Sequence, residues 1–593
     1  MILKDILSPL YVWKRAFEKP YTINKPLEDR PGAPRYRGFH TNDMEKCIGC
    51  GSCESICQNA AIDLVPVEGI ETTKKDSGLR PKIDYGRCCW CALCVDICPT
   101  GSMGMSNEYQ WVDTDPEVFR FVPGADDKSW DEDELGYRRS ENYRLLEPVR
   151  MEMPELEPEE RVESFIEMIK GYSKEQAIKE AYRCVQCGLC VASCPAHMDV
   201  PEYIEAIRND DLEEALRILY ITNPLPEVCG RICTRRCEDA CALGHTGDPI
   251  SIRWLKRYIA DQIPKEKYQE ILKHEKPEST GKTVAIIGAG PGGLSAAYYL
   301  SLLGYEITIY EANEHAGGML RYGVPEYRLP YDQIDKDVEY IKSLGVEIEY
   351  NTPIGEKLTI KKLLEQFDAV LIATGLPEAY KLSIEGEENE GVVTGLKILD
   401  DVTNGLDPQI GNDVVVIGGG NVAMDSARTA RRFGANVTIL YRRRIVDMPA
   451  DEEEIREAQE EEVEMIPQGI PLRIEKTESG RLKMVYGLAE MKDMGPKRRP
   501  KPVLIEGKEY TMEVDNVVLS IGQTVDLDFL DKDIASQIAT LKGKIEVNAD
   551  YMTSLNGLFA AGDMVNNVAD AISAIADGHK AAKGIDTFFR RGE

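Results

Sequence analysis

Three times this chain sets four cysteines at the spacing C-x2-C-x2-C-x3-C: Cys47, Cys50, Cys53 and Cys57; Cys88, Cys91, Cys94 and Cys98; Cys184, Cys187, Cys190 and Cys194. Nothing else in the sequence constrains the fold as strongly. Thiols at those intervals share one tight loop and the turn that follows it, so they face a common object. All 17 cysteines lie between Cys47 and Cys241. An odd number gathered at two- and three-residue intervals is not a disulfide framework. It is metal ligation in a reducing compartment, and the expected location is the cytoplasm. A structural zinc module uses paired C-x2-C units more often than complete four-cysteine runs.

The first two runs match the bacterial ferredoxin spacing, in which three cysteines hold one [4Fe–4S] cube and the fourth reaches the other. Three thiolates on a loop cap three irons, and the fourth begins a helix aimed at the neighbouring cube. One cube is therefore expected on Cys47, Cys50, Cys53 and Cys98, the other on Cys88, Cys91, Cys94 and Cys57. Cys89 is left over as a packed thiol, and Gln58 stands where the first run would carry proline. Upstream lies Arg35-Tyr-Arg-Gly-Phe-His-Thr-Asn, and Tyr85-Gly-Arg-Cys-Cys-Trp-Cys-Ala-Leu-Cys surrounds the second run. With these strings the first hundred residues resemble the two-cluster ferredoxin-like subunit of respiratory complex I and related hydrogenases. The resemblance implies that the start of the chain docks on other subunits near a membrane. Packing on the chain's own domains is the even alternative.

The third run is followed by Cys229-Gly-Arg-Ile-Cys233, Cys237, Cys241 and Asp248-Pro-Ile-Ser-Ile-Arg-Trp-Leu-Lys-Arg-Tyr. From about Ser173 to the C-terminus the chain resembles the small (β) subunit of glutamate synthase, the N-terminal part of dihydropyrimidine dehydrogenase and the large subunit of the bifurcating ferredoxin:NADP transhydrogenase. The resemblance implies one cluster on Cys184, Cys187, Cys190 and Cys241. It implies a second on Cys194, Cys233 and Cys237 plus a Glu or Gln at the position held here by Lys256. A protonated amine has no lone pair for iron. Either Cys229, which family members tend to leave free, completes the second set, or that cluster is absent or incomplete. Three clusters are expected firmly and a fourth on that condition.

Two glycine fingerprints follow. Val284-Ala-Ile-Ile-Gly288-Ala-Gly290-Pro-Gly-Gly293 is an apolar strand running into G-x-G-x-x-G, with Glu311 ending the next strand. The glycines let a pyrophosphate approach the start of the helix, and the carboxylate suits ribose hydroxyls. Val414-Val-Val-Ile-Gly418-Gly-Gly420-Asn421-Val-Ala423 repeats the pattern, but its next strand ends in Tyr441-Arg442-Arg443-Arg444 with no acid. Guanidinium groups there pair with a 2′-phosphate that a carboxylate would repel, so NADPH is expected over NADH. A solvated surface run is the plainer account of the arginines. Leu558-Phe-Ala-Ala-Gly562-Asp563 resembles the second FAD motif of two-dinucleotide flavoproteins, which implies FAD at the first fingerprint. Ala373-Thr374-Gly375 resembles the bridging strand. Gly317-Gly318-Met-Leu-Arg321-Tyr-Gly323-Val-Pro325 is similar to the segment lining the flavin in the glutamate synthase group. No cysteine follows Cys241, which excludes a dithiol beside the flavin. With no acid or base needed for hydride transfer, no catalytic side chain is expected.

The expected fold is multidomain. An apolar, partly basic extension (1–43) precedes an α+β two-cluster ferredoxin domain (44–107), an acidic linker (108–165) and an α-helical cluster domain (166–264). Two α/β Rossmann-like domains of the glutathione-reductase type follow, for FAD (283–395 and 505–593) and for NADP(H) (396–504). The formal net charge of −31 speaks against nucleic acid as a partner. No apolar run is long enough to span a membrane. The expected function is that of an iron–sulfur flavoprotein subunit. It would pass electrons between NADP(H), FAD and [4Fe–4S] clusters to ferredoxin or to partner redox subunits, with electron bifurcation one form of this. A glutamate synthase small subunit and a structural relay with an inactive nucleotide site are the alternatives.

Overall fold

Beyond Lys282, apolar runs alternate with glycine turns, and in the computed structural model they become two parallel sheets. The structure describes residues 12–18, 32–141, 143–273, 277–495 and 499–592. Most of the proposed N-terminal docking extension lies outside the described residues. The chain divides into two compact units, each described by itself. One gathers Met1–Val149, Val185–Leu189 and Ala240–Pro249; the other gathers Arg150–Cys184, Cys190–Asp239 and Ile250–Glu593.

In the first unit, strands Ile62–Pro66 and Leu79–Asp84 form an antiparallel pair to which Arg120–Phe121 adds a third strand. His40–Asn42 pairs with Met103–Met105. Short helices Ser52–Ser55 and Leu93–Ile97 follow the loops of the two cysteine runs. The core is aromatic. Phe39 stacks on Trp130 with ring centroids 4.7 Å apart, and Tyr85 on Phe121 at 5.1 Å. Phe121 and Trp130 come from the stretch read as an acidic linker, whose first part is thus built into this unit. Its acidity serves local turns. Asp126 and Asp131 accept backbone N–H bonds from Val122 and Lys128, each at 2.7 Å, and Asp133 accepts one from Leu135 at 2.8 Å.

In the second unit the middle segment is helical. Lys174–Ala181 opens on a capping box between Ser173 and Gln176, and Leu212–Thr222 is capped by Asp211. Helices Val200–Arg208, Pro226–Ile232 and Ile252–Gln262 complete the set that bears on the clusters. The first parallel sheet runs Leu558–Ala560, Ala369–Ile372, Thr283–Ile287, Glu306–Tyr310, Glu347–Glu349. The second runs Val392–Thr394, Asn516–Leu519, Asp413–Ile417, Asn436–Tyr441, Glu464–Pro467. Residues 392–394 and 516–519 were expected in the FAD domain but complete this second sheet. Both are short apolar runs, and nothing in such a run says which sheet it joins. Two short strands, Glu378–Ala379 and Gln523–Thr524, pair antiparallel where the chain crosses between the sheets.

Arg428, fully buried on helix Asn421–Arg432, donates to Glu454 (2.7 Å), Glu457 (2.8 Å) and Glu461 (2.7 Å). It also donates to Met168 Sδ at 2.9 Å and lies over the Tyr327 ring, 4.9 Å from its centroid. The C-terminal helix Ala571–Arg591 packs on helix Pro291–Leu302, where a Cβ on Gly578 would stand 2.2 Å from the Gly292 carbonyl oxygen. On the same interface His579 stacks on Tyr299 at 3.6 Å and 10°. Burial, aided by Lys583 and Lys580, holds His579 down at about 4, against about 6.5 in an unfolded chain. Below about 6.5 the unfolded chain takes up this proton first, so stability should fall as pH drops from there toward 4. In thermal melts across that window His579→Phe should flatten part of the slope, and an unchanged slope would refute the assignment.

Candidate functional site

Strand Thr283–Ile287 ends at Gly288, whose φ of 102° and close approach both demand glycine: a Cβ there would lie 2.7 Å from the Ala373 carbonyl oxygen. Gly290 caps helix Pro291–Leu302, whose first N–H groups are free for a phosphate. A cavity of about 340 Å³ opens there, lined in part by Gly288, Gly290, Glu311, Gly318, Gly375, Gly562 and Asp563. Glu311 is held in place by the N–H groups of Ala289 (2.8 Å) and Asn313 (2.9 Å), and its remaining lone pairs stay available. Asp563 Oδ1 is buried without a hydrogen-bond partner. Burial pushes the Asp563 carboxyl up to about 6 against the opposing pull of Lys544. A buried polar atom lacking a partner is costly alone. Here it faces a cavity framed by a helix N-terminus and a ribose-type carboxylate, and the residues fit FAD. Gly293, Arg321 and Gly323 do not line the cavity. Gly293 packs its helix against the Gly288 turn, and Arg321 donates to the Ala316 carbonyl (3.1 Å) and pairs with Asp335. Lys544, Asp526 and Phe529 were not singled out from sequence. Asp526 and Phe529 line the cavity, and Lys544 Nζ donates to the Asp563 carbonyl at 2.7 Å. No local motif marks any of them.

A second cavity of about 640 Å³ shares Asn313, Met319 and Pro377 with the first and reaches Thr394, Lys397 and Leu519 of the second sheet's region. Beyond it the second fingerprint repeats the first. Gly418 has φ 150°, and a Cβ there would stand 2.1 Å from the Ser520 carbonyl oxygen. Gly420 caps helix Asn421–Arg432, Asn421 Oδ1 accepts from the Asp451 N–H at 2.9 Å, and Ala423 is fully buried. The arginines after Tyr441 divide. Arg444 is tied to Asp447 at 2.7 and 2.9 Å, and Arg443 Nε donates to the Pro500 carbonyl at 3.1 Å. Among the described residues neither Arg442 nor Arg443 pairs with a carboxylate.

In the first unit thiols of the two runs stand close enough for their charges to interact. Burial, then the charges of Cys50, Cys94, Cys47 and Cys98, drive Cys53 well above the ordinary thiol range. Burial, then Cys88, Cys91 and Cys57, raise Cys94. Cys98 thus stands near Cys50 and Cys53 of the other run, and Cys57 near Cys88, Cys91 and Cys94. Cys89 is exposed. His40 was not singled out: its Nε2 lies 3.2 Å from Cys94 Sγ and its Nδ1 2.9 Å from the Tyr85 hydroxyl, and burial keeps the ring neutral with a pKa of about 4. Among the described residues no three His, Cys, Asp or Glu side chains converge as around one metal ion. A cube is larger than an ion and offers its irons to thiolates at separate corners.

Of the third run and its downstream cysteines, Cys187 and Cys241 lie in the first unit, where Cys187 is close enough to Cys50 for their charges to interact. Cys184 and Cys190 lie in the second unit, as do Cys194, Cys233 and Cys237. The buried Lys256 stands beside these last three and Cys229. Burial disfavours its ammonium, but charge on Cys233, Cys229, Cys237 and Cys194 holds its pKa above the ordinary lysine value.

The family model of the pyridine nucleotide-disulphide oxidoreductases matches residues 282–578, half of the chain. The chain belongs to that family. Two further models place this oxidoreductase among the iron–sulfur members: a 4Fe-4S dicluster domain at 46–102 and the 4Fe-4S domain II of dihydropyrimidine dehydrogenase at 161–268. Its cofactors are accordingly FAD, NADP(H) and [4Fe–4S] clusters. The chain is 40% identical over 430 residues to the NADP(+)-dependent formate dehydrogenase subunit beta of Moorella thermoacetica, covering 68% of this chain and 60% of that one. It is 36% identical to the NADPH-Fe(3+) oxidoreductase subunit beta of Geobacter sulfurreducens, covering 68% and 64%. It is 33% identical to the glutamate synthase [NADPH] small chain of Escherichia coli K12, covering 75% and 98%. The chain therefore spans less than two thirds of the first two relatives. No described helix is long and apolar enough to cross a membrane.

Proposed function

We propose that this chain is the cytoplasmic nucleotide-handling subunit of a larger redox complex, exchanging electrons between NADPH and a ferredoxin or partner redox subunit. The carrying observation is that the two cavities adjoin within one unit. One is framed by Gly288, Glu311 and Asp563, and the other is lined in part by Val392, Val393, Thr394 and Leu519 of the sheet whose strands lead to Gly418 and Arg442. When bound, FAD supplies the exchange of two-electron for one-electron steps, and the clusters carry single electrons. The chain's own residues supply position. Gly288 and Gly418 let each dinucleotide reach its helix start. Glu311 and Asp563 orient FAD, and Arg442 with Arg443 selects the 2′-phosphate. Gly290, Gly318, Gly375 and Gly562 line the first cavity, and Gly420, Asn421 and Ala423 build the second glycine turn and the helix it opens.

The thiols around Lys256 are tied to the flavin side of this unit through Asp570. Thr234, between Cys233 and Cys237, donates to Asp570 at 2.9 Å, and Arg236 pairs with the same carboxylate. Asp570 caps helix Ala571–Arg591, just beyond the Gly562–Asp563 turn. These contacts support electron passage between the flavin cavity and the thiols around Lys256. Within the other unit Cys187 stands near Cys50.

The resemblance to the glutamate synthase small chain favours a second reading, that of a subunit feeding a glutamine-dependent synthase. That reading leaves the dicluster domain at 46–102 without a role. Anaerobic titration tests the first reading. NADPH should bleach the flavin band and then the broad cluster absorbance, with NADH far slower. A flavin that is reduced while every cluster stays oxidised would end it. Anaerobic pull-down of the intact chain should bring down a redox subunit, and a glutaminase-bearing synthase in its place would establish the second reading.

A further inference from the structure

Lys256 is only 4% exposed and pairs with no carboxylate among the described residues. It sits on helix Ile252–Gln262, which packs on Pro226–Ile232 with little room between: a Cβ on Gly230 would lie 2.8 Å from Arg257 Cα. That approach sets Lys256, the residue before Arg257, beside Cys229, the residue before Gly230. Cys229 is 0% exposed, and Cys194, Cys233 and Cys237 complete the surroundings of the lysine. The site thus holds four thiols and one ammonium, and among the described residues no carboxylate pairs with that ammonium.

We propose that Cys229 is the fourth ligand of the flavin-side [4Fe–4S] cluster, with Cys194, Cys233 and Cys237, and that Lys256 is a charge-compensating neighbour that raises the potential of that cluster. The proposal rests on reading those three cysteines as cluster ligands. On binding iron the Cys229 thiol gives up its proton to solvent and its sulfur forms one Fe–S bond, so no electrons are exchanged. The physical argument is charge. A buried ammonium among neutral thiols, paired with no carboxylate among the described residues, is strongly unfavourable. Four iron-bound thiolates supply the missing negative charge. With Cys229 as the fourth ligand no further donor is needed at position 256, and a cation can stand there. Reduction adds one negative charge to the cluster, so a fixed positive charge in this dry interior favours the reduced form. This cluster becomes a better electron acceptor than it would be without the lysine.

The test uses the full-length holoprotein, purified anaerobically. Wild type should carry about sixteen irons, four per cube. Cys229→Ala should convert one cube to a three-iron form, giving a new paramagnetic signal in the oxidised protein while the other clusters keep theirs. Lys256→Met should keep the iron count and make one cluster at least tenfold harder to reduce at a fixed potential, a shift of about 59 mV for one electron. Cys229→Ala with Lys256→Glu should regain a four-ligand set and lose the three-iron signal, which guards against a variant that merely folds badly. A Cys229→Ala protein with wild-type iron and spectra would overturn the ligand assignment and leave the cluster. A wild type with about twelve irons would overturn the cluster itself.

Discussion

Replacing Arg428 by leucine should cost about 3–5 kcal/mol in the stability of the nucleotide-binding half, because it strands buried carboxylates without their cation. Arg428 is fully buried and bonded to Glu454, Glu457 and Glu461, while Arg432 also reaches Glu461 at 2.7 Å. Even with the arginine present, burial and then the neighbouring charge of Glu454 push Glu457 up to about 8. Removing the cation removes what opposes that rise. Urea melts of the holoprotein, followed by the release of NADPH-dependent reduction, should show the affected transition move to markedly lower denaturant. Replacing Arg428 and Glu457 together by leucine should lose less than Arg428 alone. Equal losses would mean that the pairing itself contributes nothing.

The second large effect is on nucleotide choice. Arg442→Ala with Arg443→Ala should weaken NADPH by roughly a hundredfold or more, since hydrogen bonds to a charged group are worth about 1.5–3 kcal/mol each. NADH, which lacks the 2′-phosphate, should change by less than about threefold on the same physical grounds. Arg444→Ala is the internal control. That side chain is committed to Asp447 and should matter little to either nucleotide. Michaelis constants for both nucleotides, measured against an artificial one-electron acceptor, decide it; equal losses for NADPH and NADH would remove the phosphate pocket.

The chemistry of this chain was legible because it is local. A cysteine run or a glycine fingerprint carries its ligand geometry in a few consecutive residues, so Gly288, Gly418 and the thiol spacings could be read directly. What could not be read depends on contacts between distant segments. Phe121 and Trp130 show no periodicity and sit amid acids, so the stretch looks like a linker until the ferredoxin core closes around them. Val392–Thr394 and Asn516–Leu519 are apolar runs whose sheet is decided by topology alone. Lys544 and His40 act through an Asp563 carbonyl and a Cys94 sulfur that no sequence interval links to them. Lys256 lay between the two cases. Its misfit with the family pattern was visible in sequence, but its burial beside Cys229 required the packing of two helices at Gly230.

The exchange of fourth cysteines between the first two runs bears on assembly. On the proposed ligand sets Cys57 belongs with the second run and Cys98 with the first, so neither loop would close its own cube from its own residues. Loading should then be cooperative: the first cube to form draws in the helix start that the other requires. Oxidative damage should run the same course in reverse, with the loss of one cube releasing a ligand of its neighbour and the pair failing together.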